Sequence, residues 1–233
     1  MPTRSTSRAM LYATFTAILG TAIWQAGFEV SPAFAQQKPA EAPGTFPTPN
    51  AYPKSWELKF EHGTPQRIVV DLGDGMSPKA FWYLTYTVTN TSKTEQAFFP
   101  VLELMSKDGK VSRSDDKVSP AVFSAIKGRE KNNFLETQYA IGGELRLGPD
   151  QAREGVAIWP EVSAEMGSFS IFVGGISGEY TFLKDASGAE AKDAEGKPVI
   201  LRKTLQLNYL VRGDEVYPGE DVVNENAEVW VMR

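Results

Sequence analysis

An all-β fold, an antiparallel sandwich carrying a short helical insertion at about 118–139, is what this chain predicts, on three observations. About ten short runs of alternating or β-branched sequence are separated by turn residues at close intervals, the spacing of two packed antiparallel sheets. Within them, 80–90 (AFWYLTYTVTN) is dense in aromatic and β-branched residues, which fit a pleated, half-buried surface. Between 118 and 139 the periodicity turns helical, in a segment too short to bury a core of its own, so it reads as an insertion between strands.

Taken in order, Trp56, Leu58 and Phe60 alternate with Glu57, Lys59 and Glu61 as a first strand with one buried face. Residues 67–72 (RIVVDL) form a second, closed by Gly73-Asp74-Gly75. In 80–90, Trp82, Leu84, Tyr86 and Val88 share the face turned to the core, with Tyr83, Thr85, Thr87 and Thr89 on the other. After the turn residues 90–93 comes one strand over 96–105 (QAFFPVLELM), then the hairpin turn Asp108-Gly109. Val122, Phe123 and Ile126 follow Pro120 at helical spacing, with Phe134, Leu135 and Tyr139 beyond Gly128, which fits one or two short helices. Strand patterns resume at 144–147, 155–159, 168–173, 180–183, 199–211 and 227–232. In the long 199–211 run Val199, Leu201, Leu205, Leu207, Tyr209 and Val211 are in phase. The polar stretch 184–198 reads as an exposed hairpin tip, and no repeat of fixed period is expected. A barrel is the structural alternative.

The amino terminus sets the expected place of work. Arg4 and Arg8 precede an apolar stretch at 10–22, and Ala33-Phe34-Ala35 is a small-x-small cleavage pattern, so 1–35 reads as a secretory signal peptide. The uncleaved alternative is a membrane anchor; cleavage leaves no span. Prolines at 39, 43, 47, 49 and 53 make 36–54 an extended, disordered tether, and 55–233 is then a single sandwich domain. Losing Arg4, Arg8 and Glu29 with the leader takes the net charge from −5 to about −6, which argues against nucleic acid as a partner. With no cysteine there is no disulfide framework and no thiolate metal site.

The block 81–108 (FWYLTYTVTNTSKTEQAFFPVLELMSKD) resembles the strand-turn-strand signature of secreted bacterial immunoglobulin-like domains: an aromatic-rich strand ending Tyr-x-Val-x-Asn, a polar turn, a strand, then Asp-Gly. Leu147-Gly148-Pro149 followed by Ile158-Trp159-Pro160 resembles their later part. The likeness covers less than half of the mature chain. It implies an immunoglobulin-like sandwich of an uncharacterised kind and transfers no site. The helical insertion departs from the minimal domain.

Candidate chemistry is sparse. His62, the sole histidine, sits beside Gly63-Thr64-Pro65, where a solvated strand-end role is favoured over a catalytic triad. Gly174-Gly175-Ile176-Ser177-Gly178 lacks the spacing of a nucleophile elbow and reads as a tight connection with glycines at positive φ. Asp71 with Asp74, Asp115 with Asp116, and Asp185, Asp193 and Glu195 match no calcium-loop spacing and read as turn residues. Arg212-Gly213-Asp214 and the sequon Asn90-Thr91-Ser92 are explained by turn chemistry. Trp159 before Pro160 and Tyr217 before Pro218 are the candidates for ligand-stacking rings, against the alternative of packing beneath a loop.

No catalytic, cofactor-binding or metal site is assigned. The expectation is an exported, periplasmic or secreted, non-catalytic protein that binds an unknown protein or glycan partner or serves structurally in the cell envelope. The alternative is a hydrolase, or a carbohydrate-binding module, on the same scaffold.

Overall fold

In a computed structural model of the protein, residues 46–73, 75, 77–161, 166–212, 222–224 and 228–233 are described; the expected leader at 1–35 and tether residues 36–45 lie outside them. The first alternating run becomes β1 (Lys59–His62) and RIVVDL becomes β2 (Gln66–Val70), both antiparallel to β3 (Lys79–Thr89). Phe60 lies opposite Val88 and His62 opposite Tyr86, whereas Gln66 lies opposite Tyr83. The two registers differ by one residue, so Gly63-Thr64-Pro65 is a bulge on a single continuous edge. A one-residue slip exchanges faces. Leu58 and Phe60 therefore enter one core, while Ile68 and Val70 join the other.

The strand expected over 96–105 divides into β4 (Gln96–Phe98) and β5 (Val101–Ser106), because Pro100 offers no N–H to a ladder. The Asp108-Gly109 turn then forms as expected, with Gly109 at φ 78, and leads to β6 (Val111–Arg113). Next comes α1 (Pro120–Glu130), with Ser119 Oγ accepting from Ala121 N–H at its start, Pro120 in its first turn, and Lys127 and Arg129 near its negative end. β7 (Glu136–Thr137), α2 (Gln138–Ile141), β8 (Gly143–Leu145), β9 (Arg153–Pro160), β10 (Ser168–Gly174), β11 (Tyr180–Phe182), β12 (Ile200–Val211), β13 (Val222–Asn224) and β14 (Val229–Met232) complete the order.

These make two principal sheets. In the first, β3 is flanked by β1 and β2 on one edge and β9 on the other, with β7 beyond β9; in the second, β12 carries β10, β11, β13 and β14, and β5 and β6 follow β10. β4 pairs with β8 separately. Their facing sides hold Trp82, Leu84, Val88, Ala157 and Trp159 against Leu102, Leu104, Ile171, Val173, Leu205 and Leu207. Each large apolar side chain so enclosed is worth about 1.5–3 kcal/mol. The fold is thus an all-β sandwich with a short helical insertion.

The insertion does more than connect strands. Val122 and Ile126 of α1, with Leu135, cover the far face of the first sheet, burying Phe81, Tyr83, Val156 and Ile158. That corrects the one-sided reading of β3: Tyr83, expected away from the core, is 1% exposed and its hydroxyl donates to Glu130 at 2.6 Å. Phe134 and Tyr139, by contrast, remain exposed.

The polar stretch 184–198 is not one hairpin tip but two. Leu183 N–H donates to Val199 O (2.9 Å), Ala191 N–H to Leu183 O (2.8 Å) and Val199 N–H to Ala191 O (2.9 Å), closing a ring of three residues spaced by eight. Two hairpins leave this ring, each begun by Lys-Asp-Ala and closed by a glycine, Gly188 at φ 85 and Gly196 at φ 79. Asp185 Oδ1 accepts from Ser187 and Ala189 N–H, and Asp193 Oδ1 from Glu195 and Lys197 N–H. The repeat of eight is therefore real, and these aspartates are turn residues.

Among the described residues no helix is long and apolar enough to cross a membrane. All described elements fall in the unit Glu41–Arg233.

Candidate functional site

Alternation in the second sheet leaves Val101 and Glu103 of β5, Phe172 and Gly174 of β10, and Thr204 of β12 on its outer face. At one end this face sinks into a groove of about 550 Å³. Its floor is Gly174, where no side chain rises, and Gly175, whose φ of 86 brings the chain so close to Phe99 that a Cβ would lie 2.5 Å from the Phe99 carbonyl oxygen. Phe99, 65% exposed, and Trp56, half-buried, form its walls. The Arg233 guanidinium lies 4.0 Å over the Phe172 ring and 2.9 Å from Glu103 Oε2. Arg202 is exposed, and its guanidinium has no hydrogen bond or ion pair among the described residues.

Trp56 is held there by a strap. Leu58 N–H donates to Ile176 O (2.9 Å) and Gly178 N–H to Trp56 O (3.0 Å), laying 56–58 along the connection between β10 and β11. Further out, Asn50 donates from both its backbone N–H (3.0 Å) and its side-chain amide (2.5 Å) to Glu179 Oε1, so fastening begins inside the segment expected to be a disordered tether. Glu179 and Glu57 in turn flank the buried ammonium of Lys203, at 3.6 and 2.5 Å. The sequence signal for this cluster is Lys203 itself, a cation in phase with Leu201, Leu205 and Leu207.

The residues singled out from sequence fall elsewhere. Trp159 is fully buried between the sheets, opposite Trp82, because both faces of β9 are covered; it offers no ring to a ligand, which corrects its reading as a stacking platform. Tyr217, Asp74, Gly213 and Asp214 lie outside the described residues. Of the Gly174 to Gly178 connection, only Gly175 is at positive φ. Asp71 Oδ1 accepts from Gly73 N–H, as a turn residue does.

His62 is less solvated than expected, its side chain 11% exposed. Nδ1 donates to Gly63 O at 2.8 Å and lies 3.2 Å from Tyr209 Oη, while Nε2 is 3.4 Å from Glu228. Beside it a polar cleft of about 330 Å³ gathers Glu61, Glu130 and Glu154. Each acid is engaged: Glu61 with Lys59 (2.8 Å), Glu130 with Tyr83 and Glu154 with the Asn132 amide. Among the described residues no three His, Cys, Asp or Glu side chains are grouped to hold a metal ion.

Among the described residues Asp115 is a carboxyl of strongly altered character. Its N–H donates to Ile158 O (2.7 Å), its φ is 59, and its Oδ2 is buried without a hydrogen bond. Burial pushes the carboxyl up to about 7, against the opposing effect of the Gln138 N–H. In an unfolded chain it titrates near ~4. Between those values the unfolded state releases a proton that the folded state keeps, so stability falls as pH rises through this window. Asn tolerates left-handed backbone and cannot ionise. Asp115→Asn is therefore expected to exceed wild type in urea midpoint at about pH 8, with the difference closing towards pH 4; a variant weaker than wild type at the higher pH would contradict this account.

Asp115 does not line the acidic cleft, so the acids gathered there and the carboxyl whose environment sets it apart are not brought together. Comparisons of the chain with protein-family models, with curated proteins and with solved structures found no match.

Proposed function

We propose that this protein is an exported, non-catalytic binding module that takes its ligand in the groove walled by Trp56 and Phe99. The observation that carries the reading is the groove: a concave, ring-lined site of about 550 Å³ that also presents a few polar side chains, the usual character of a ligand pocket. Export is supported by the leader pattern at 1–35. An immunoglobulin-like lineage for the sandwich is supported by the strand-turn-strand block at 81–108 and by Trp82 at the centre of the facing sheets. The glycan reading loses Trp159, one of its two rings.

Two measurements test this. Fractionation with amino-terminal sequencing is expected to give Gln36 as the first residue of an extracytoplasmic protein; a cytoplasmic, full-length product would refute export. A photo-crosslinking residue in place of Ala97, exposed on the groove, is expected to give a discrete adduct in cells that weakens when Phe99→Ala is added. An adduct indifferent to Phe99, or none, would refute the groove as the binding site.

A further inference from the structure

We infer that the occupant of this groove is a peptide segment presenting an apolar side chain beside a carboxylate, an inference that rests on the groove being the binding site. The apolar part follows from the lining. Phe99 leaves most of its ring in water, and the absent side chain at Gly174 opens a floor between Val101 and Thr204 that an apolar group can occupy.

The anionic part follows from charge. The chain as a whole is acidic, with a net charge of −5, yet the groove carries Arg202 and Arg233 against Glu103 alone. Arg233 is matched by Glu103 at 2.9 Å and spread over Phe172, which leaves Arg202 as the unmatched guanidinium of the groove. A guanidinium forks onto a carboxylate with two parallel hydrogen bonds.

The polymer class follows from how the two are interleaved. Ser177, Thr204, Glu103 and Arg202 stand among Trp56 and Phe99 instead of in a separate polar rim. A peptide alternates polar main chain with side chains and matches such a lining. Thr204 Oγ1 donates to Arg202 O and Glu103 is held by Arg233, but the Arg202 guanidinium and the Ser177 hydroxyl hydrogen have no partner among the described residues, and an acyl chain, polar at one end only, cannot meet both.

The test uses the full mature chain and pentapeptides acetylated and amidated at their ends, with a central Phe or Leu flanked by Asp, Asn or Lys, titrated calorimetrically and by tryptophan fluorescence, with Trp56→Phe identifying the part of the signal that comes from the groove. The Asp series is expected to bind, the Asn series about threefold to fivefold more weakly, which is what a half-exposed ion pair contributes, and the Lys series weakest. Arg202→Gln should bring the Asp and Asn series together. Gly174→Ala, whose added Cβ meets nothing closer than 3.5 Å and so leaves the fold intact, should weaken every series at least about fivefold by filling the floor. Equal binding of the Asp and Lys series, or indifference to Gly174→Ala, would overturn the inference, as would binding to anionic phospholipid vesicles with none to the peptides. If all peptides fail while the Ala97 adduct still depends on Phe99, the peptide inference falls and the binding reading survives; if the adduct is lost too, both fall.

Discussion

Replacing Lys203 with alanine is expected to cost about 3–5 kcal/mol of stability, the loss seen when one partner of a buried ion pair is removed. The side chain is 3% exposed, its ammonium 2.5 Å from Glu57, 3.6 Å from Glu179 and 4.7 Å over the Trp230 ring. Without it Glu179, 7% exposed and with Oε2 making no hydrogen bond, becomes an uncompensated buried charge. At this chain length the melting temperature should fall on the order of 10 °C. Because Glu179 also holds Asn50, proteolysis within 46–58 should accelerate together with the loss of stability. Lys203→Met combined with Glu57→Gln and Glu179→Gln should recover most of the loss, since removing both sides of such a pair is often nearly neutral. The pH dependence has a definite sign. Burial alone would raise the Glu179 carboxyl, but the Asn50 donors and the Lys203 charge outweigh it and hold it below its usual range. Its contribution is therefore present at neutral pH and lost as pH falls through the lowered value, so the gap between wild type and Lys203→Ala should narrow below about pH 4. A Lys203→Ala protein within about 1 kcal/mol of wild type would show that the cluster is effectively solvated.

How far the sequence exposes this architecture depends on whether the deciding contacts are local. The inner face of β3 was legible because Trp82, Leu84, Tyr86 and Val88 repeat with the pleat of a single strand. The burial of Tyr83 was not, since its cover, Val122 and Ile126, lies some forty residues on and alternation within β3 says nothing about a helix. Trp159 illustrates the opposite error. Its run, Gly155 to Trp159, is apolar without a break, the mark of a strand covered on both faces, and the following proline only ends the strand. Pro100 likewise carried its own signal, a residue unable to sit inside a central strand. The groove had none: Trp56, Phe99, Phe172 and Arg202 are far apart in the chain, and its floor is made by the missing side chain of Gly174. Periodicity registers residues that pack, and a cavity is what remains where they do not.

The glycine at 155 makes that point in the core itself, and Gly155→Ala should be among the most damaging single-methyl additions available. In β9 it lies opposite Tyr86, whose ring crosses it: an added Cβ would be 2.4 Å from Tyr86 Cζ, 2.5 Å from Oη and 2.7 Å from Cε2. A ring tip can often swing aside, but this one is 3% exposed and stacked on Phe60 at a centroid distance of 5.0 Å. Moving it displaces Phe60 and loosens β1 from β3, so the expected cost is at least about 3 kcal/mol, the upper end of ordinary overpacking. The Tyr86 hydroxyl is itself buried without a partner, and burial, then the charges of Asp115 and Glu136, push its ionisation up despite the opposing charge of Arg153. Tyr86→Phe should accordingly be neutral or slightly stabilising in the parent, because it deletes an unpaired buried polar group. It should not rescue Gly155→Ala, since the closest contact is to a ring carbon; Tyr86→Leu, which removes the ring, should recover part of the loss. A double-mutant cycle read by urea unfolding gives the coupling directly. Gly155→Ala unfolding at the parent's midpoint, or full rescue by Tyr86→Phe, would show that the ring does not pack across this glycine.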